Sequence, residues 1–178
     1  MKTSIKIDKK HLRWPSPAEM EDDSGLGGNL SYYRVGKLPW REIEEIMRWE
    51  EELVNELDAA EDPNDVMDDD ERDIEFAEML GGLDPGVTGA VLCLAAVGCV
   101  PFASCNGGVF GDTHHETHPL VVFFCKAAHV DPLIDAAKAA GIGLESEEGH
   151  VMAYAGDIRL IMKFAHAIVE RKGRFGHP

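Results

Sequence analysis

The chain lacks an apolar run long enough to cross a membrane. Its longest, residues 87–102, is broken by Gly89, Gly98 and Pro101 and falls short of the roughly 20 residues a spanning helix needs. None of its four cysteines, Cys93, Cys99, Cys105 and Cys125, forms a Cys-x-x-Cys pair, which removes the commonest zinc and redox signatures. Residues 1–13 carry positive charge but no apolar stretch and no small-residue cleavage site. They do not read as a secretory signal, so a cytoplasmic protein with reduced thiols is expected. Basic residues are scarce as well: 17 Lys and Arg stand against 33 Asp and Glu, a net charge of −16. Such a surface repels phosphate backbones and disfavours direct nucleic-acid binding. The glycines of residues 24–30 do not complete a Gly-x-Gly-x-x-Gly loop framed by strand and helix. The acidic run of residues 65–70 lacks the turn glycine and alternating oxygen ligands of a calcium loop.

What is present suits one well-buried core. The chain has 178 residues, 44% hydrophobic and 28% charged, an ordinary composition for a globular domain. The negative charge is concentrated. Between Arg41 and Glu78 there are about 18 Asp or Glu against three arginines, roughly −15 in one segment. A cluster of that kind attracts a basic protein surface over about a Debye length.

Three parts are expected. Residues 1–37 read as an irregular arm containing a short alternating stretch, residues 3–8, and a Pro-Ser-Pro turn. Residues 38–83 read as an acidic two-helix extension. Pro39 suits a helix start, and Ile43, Ile46, Met47, Leu53, Val54 and Leu57 recur on one face. Trp49 lies off that stripe, where it could anchor a partner. A second short helix is expected through Ile74, Phe76, Met79 and Leu80, closed by Gly81-Gly82.

Residues 84–178 read as an α+β domain. Asp84-Pro85 and Asp131-Pro132 each place a capping carboxylate before a proline, and each following Ala-rich helix stops at a glycine, Gly98 or Gly141. Strand-like runs follow at residues 99–105 and 142–146, then at 120–125 and 150–155, with Glu147-Glu148-Gly149 as a tight turn. Asp157 caps a closing amphipathic helix over residues 158–171. Two helix-strand-strand units thus predict a four-stranded, mostly antiparallel sheet with helices on one face.

The first unit joins its strands by a long loop, residues 105–118, which holds one cysteine, three histidines and two carboxylates. Loops of this length are uncommon unless they are functional or disordered. Three readings compete. In the first, Cys105, His114 and His118 bind a metal, with zinc the candidate and Asp112 or Glu116 available to supply oxygen. In the second, Cys105 is a nucleophile with His115 as base and Asp112 orienting it, while Asn106, Gly107 and Gly108 turn backbone N–H groups toward a thiolate or an anionic ligand. In the third, the loop is structural and its cysteine packs inward. His150 and Tyr154 fall on one side of the last strand.

The layout of helix, strand ending in Ser104-Cys105-Asn106-Gly107, loop, strand, helix and hairpin resembles the RNA methyltransferases of wybutosine synthesis, whose first strand ends in a Ser-Cys-small-Gly turn. The similarity spans residues 84–171. Gly108 stands where that pattern has arginine. The resemblance implies the same α+β fold and, with it, a tRNA-modifying activity that the acidic surface does not suit.

The reading that follows is a non-enzymatic regulator or inhibitor-like module whose Glu44, Glu45, Glu51 and Glu52, with Trp49, meet a basic protein surface. The alternative is a small enzyme or metal- or ligand-binding domain built on Cys105 and the histidine loop.

Overall fold

The computed structural model describes residues 1–21, 38–63, 66, 82–110 and 116–175. In chain order the elements are β1 (Ile5–Lys6), α1 (Pro17–Glu21), α2 (Trp40–Ala59), α3 (Thr88–Ala96), β2 (Val100–Cys105), β3 (Leu120–Phe124), α4 (Val130–Ala140), β4 (Gly143–Glu147), β5 (His150–Tyr154) and α5 (Ile158–Glu170). Short 3₁₀ turns precede α4 and follow α5. The expected second acidic helix lies outside the described residues.

The α+β class holds, and the two hairpins, β2–β3 and β4–β5, join through antiparallel β3 and β5. The sheet has five strands rather than four, in the order β1-β4-β5-β3-β2. The fifth is β1, which lies inside the stretch read as irregular and pairs parallel with β4, Ile5 against Leu144. Two residues of ladder leave too short an alternation to read as a strand. The sheet is therefore mixed, with one parallel pair at its edge.

Local signals place the turns. Gly98 and Gly141 end their helices at φ of 82° and 83°, the left-handed conformation a helix C-terminus favours in glycine. Glu148 and Gly149 both have positive φ, as a two-residue hairpin turn demands. The Asp157 carboxylate accepts the Arg159 N–H at 2.9 Å and caps α5. The other two caps differ from expectation. Gly86, at φ 90°, delays α3 to Thr88, and the Asp84 carboxylate turns away to accept the Asn106 N–H. The turn before α4 moves Asp131 into the first helical turn, where it pairs with Lys9 at 2.6 Å.

Alternation sorts the sheet into two faces. Val121, Phe123, Leu144, Val151 and Ala153 are at most 1% exposed and face the helices. Leu120, Val122, Phe124, His150, Met152 and Tyr154 lie on the other face. There the Phe124 ring stacks on Phe102 and meets the edge of His150, and Arg13, whose N–H donates to Gly149, lies over the Phe124 ring. Burial pushes the His150 pKa down. Tyr154 stands opposite Gly143 in the register, where a Cβ would fall 2.3 Å from the ring. The glycine lets the tyrosine fold across the strand beside it.

The helices share one core with that inner face. Ile43, Met47, Leu53, Val54 and Leu57 of α2 join Val91, Leu94, Phe123, Ile161, Phe164 and Ile168 in a single hydrophobic cluster, each large side chain contributing roughly 1.5–3 kcal/mol of transfer free energy. Along one flank of α2, Glu44, Glu51 and Asp58 recur every seven residues. They meet Lys172, His166 and Arg159, the first two at 2.8 Å and 2.5 Å, so α2 and α5 run antiparallel along a ladder of charged contacts. These side chains are 41–45% exposed, so each contact adds only about 0.2–1 kcal/mol and serves mainly to fix register.

Candidate functional site

The long hairpin mouth was one candidate. Cys105 ends β2 and is 7% exposed. Its Sγ accepts the Gly107 N–H at 3.3 Å, a weak contact of the kind the nucleophile reading calls for. Asn106 is fully buried and its groups are engaged within the chain. Its N–H donates to Asp84 at 3.1 Å, its side-chain amide donates to the Phe110 carbonyl at 2.9 Å, and its Oδ1 accepts the Gly108 N–H at 3.0 Å. The successive N–H groups of residues 106–108 thus go to Asp84, Cys105 and Asn106 in turn and do not converge on an open point. Gly107, at φ 75°, packs so tightly that a Cβ would sit 2.5 Å from the His118 carbonyl carbon.

His118 is part-buried, with its ring edge-on to Tyr154 at a centroid distance of 6.0 Å. The Tyr154 hydroxyl donates to Glu145 at 2.7 Å, and Ser4 bonds the same carboxylate. These two bonds hold the Glu145 carboxyl below its ordinary pKa. Cys105, His118 and Tyr154 are therefore gathered at one end of the sheet. Asp112, His114 and His115 lie outside the described residues. Among the described residues no group of three or more His, Cys, Asp or Glu side chains is arranged to hold a metal ion. The other three thiols are buried, and burial raises the pKa of each.

The acidic helix was the other candidate, and the structure divides its carboxylates three ways. Glu44 and Glu51 belong to the ladder against α5. Glu42, Glu45 and Glu52 are exposed, and their carboxylates make no ion pair or hydrogen bond among the described residues. With Trp49 and Glu56 they recur at three- and four-residue steps, 42-45-49-52-56, which puts them on one flank of α2. Trp49 is half-buried at the centre of that flank, its ring packed on the core.

The third fate belongs to Glu50, which sequence reasoning missed. It is 2% exposed. One carboxylate oxygen accepts the N–H groups of Gly86 and Thr88, both at 2.8 Å, and the other accepts that of Gly89 at 2.9 Å. A carboxylate from α2 thereby satisfies the orphan donors at the start of α3 and opposes the positive end of its dipole. Gly89 makes room for it: a Cβ there would meet Glu50 and Met47 at 2.9 Å. Burial pushes the Glu50 pKa up to about 7, against the pull of the three N–H donors. The available signal was its position, since residue 50 continues the apolar rhythm of residues 43, 46, 47, 53, 54 and 57. An acid on a core stripe calls for a buried donor.

Among the described residues no helix is long and apolar enough to cross a membrane. Comparison with protein-family models, with curated proteins and with solved structures yields no match.

Proposed function

We propose that the chain is a protein-binding module that presents the acidic flank of α2, centred on Trp49, to a basic surface of a partner protein. The observation that supports this most directly is the division of labour on α2. Glu44, Glu51 and Asp58 are engaged by α5 and its end, and Glu50 is consumed inside. Glu42, Glu45 and Glu52 face solvent unpaired among the described residues. A helix fastened on two sides with like charges on a third is a rigid field source, and a field of one sign speeds encounter with a partner of the other. A half-buried tryptophan among rim charges is the usual composition of an interface anchor.

The test is affinity capture by the whole chain across a salt series. The expected result is a basic partner retained at low salt and released at high salt, lost by E42Q/E45Q/E52Q and kept by E44Q/E51Q. Rim charges change association and its salt dependence more than they change folding, so the triple variant keeps its Tm. Capture of nothing at any ionic strength would refute the proposal, as would equal loss from both variants.

A second reading, a small ligand-binding or catalytic site at the hairpin mouth, draws on the Gly107 N–H aimed at Cys105 and on the nearness of His118 to Tyr154. It predicts that Cys105 alkylates faster than a free thiol at neutral pH. A rate at or below that of a free thiol would discard it.

A further inference from the structure

A cleft of about 480 Å³ opens between α2 and α5, lined by Arg41, Glu44, Met47 and Arg48 on one side and His166 and Val169 on the other. It borders the acidic stripe, since Arg41 and Arg48 stand one turn before Glu45 and Glu52, and its size falls in the range of small-molecule sites.

Its charge is unusual for this chain. Lys172, Arg159, Arg171 and Arg174 each hold a carboxylate. Arg41 and Arg48 hold none among the described residues, although acids outnumber bases about two to one. They stand two helical turns apart, about 10 Å along α2, a separation two arginine side chains can close over one anion. The Arg48 Nε donates to the Glu44 carbonyl at 3.3 Å, which orients that guanidinium and leaves its outer nitrogens to a ligand. Of the two acids one turn from both arginines, Glu44 is drawn aside to Lys172 and Glu45 is exposed and does not line the cleft, while the His166 ring bonds Glu51 at 2.5 Å. The floor is apolar, formed by buried Met47 and part-buried Val169.

From this arrangement we infer that the cleft binds a small organic phosphate, a phosphate monoester on an apolar body. Two guanidinium forks match the charge and the acceptor oxygens of a phosphate dianion better than those of a single carboxylate. The Met47 and Val169 floor accepts the apolar body. His166, its Nε2 held by Glu51, closes the far wall.

The experiment is isothermal titration of the full chain with phenyl phosphate, with inorganic phosphate and benzoate as comparison probes. One saturable site for phenyl phosphate is expected, with each of R41A and R48A weakening it by about tenfold and inorganic phosphate and benzoate binding more weakly than phenyl phosphate. Both arginines are exposed, so the variants should keep the Tm of the parent, and K138A, an exposed base on α4, should bind as the parent does. No heat of binding up to about 10 mM phenyl phosphate would overturn the inference. So would affinity unchanged in the double variant R41A/R48A, or equal affinity for inorganic phosphate.

Discussion

Replacing Glu50 with alanine should lower the unfolding free energy by about 4 kcal/mol, the largest loss expected from any single polar side chain here. Three backbone N–H groups, those of Gly86, Thr88 and Gly89, lose their only shared acceptor. The site is sealed from water by Met47, Gly89 and the core. A buried donor left without a partner costs about 1–3 kcal/mol, and part of the total is recovered because the desolvated charge is removed as well. For a chain of this length the loss corresponds to a fall in Tm of about 10 °C, which thermal denaturation followed by circular dichroism would measure. The pH dependence separates this site from others. Glu50 has a folded pKa of about 7 against an ordinary 4.5, so between those values the folded state holds a proton that the unfolded state has released. Stability contributed by that proton is complete below about 4.5 and is lost as pH rises to 7. E50Q cannot titrate, and its stability should be flatter than the parent's across that window. An equal slope in both proteins would show that Glu50 does not titrate there.

The second large effect is expected at Gly107. Alanine there meets two obstacles at once: φ is 75°, and the new Cβ would lie 2.5 and 2.6 Å from backbone atoms of His118. Backbone cannot yield as the end of a flexible side chain can, so the hairpin mouth must shift or open. About 3 kcal/mol of destabilisation is expected, from roughly 1 kcal/mol of left-handed strain and the rest from the clash. Gly141 provides the comparison. Its φ is 83°, yet nothing lies within 4 Å of its Cβ position, so G141A should cost only the strain, about 1 kcal/mol. Urea denaturation of the two variants measures the difference, and equal losses would mean that the close approach of Gly107 to His118 contributes nothing.

These two sites differ in how readily sequence discloses them. The hairpins, the left-handed glycines at residues 98 and 141, the Glu148-Gly149 turn and the Asp157 cap all rest on interactions within a few residues, and all could be read directly. β1 could not, because a two-residue parallel strand is defined by its partner β4 and not by its own pattern. The cap of α3 was misassigned for the same reason. Asp84 is the local candidate, but a carboxylate 36 residues before Gly86 takes the donors, and Asp84 instead supports the chain reversal at Asn106. At the hairpin mouth, residue type alone draws the eye to Cys105, Asn106 and Gly107. It could not foresee that Asn106 spends its bonding capacity on Phe110, Gly108 and Asp84, since those partners are fixed by the folded loop. On α2 the total charge was legible and its allocation was not. Glu44 and Glu51 differ from Glu45 and Glu52 only in which flank faces α5.

That allocation depends on α2 being built into the domain through Glu50, and native-state hydrogen exchange of the Thr88 and Gly89 amides tests it most directly. Both N–H groups point at a carboxylate that only a docked α2 can supply. They should exchange as slowly as the β3 and β5 amides of the core, opening only with global unfolding, and E50A should release them selectively. Exchange of Thr88 and Gly89 in the parent protein as fast as at an exposed loop, with β3 and β5 still protected, would mean that α2 is not fixed in place and that its two flanks are not held apart.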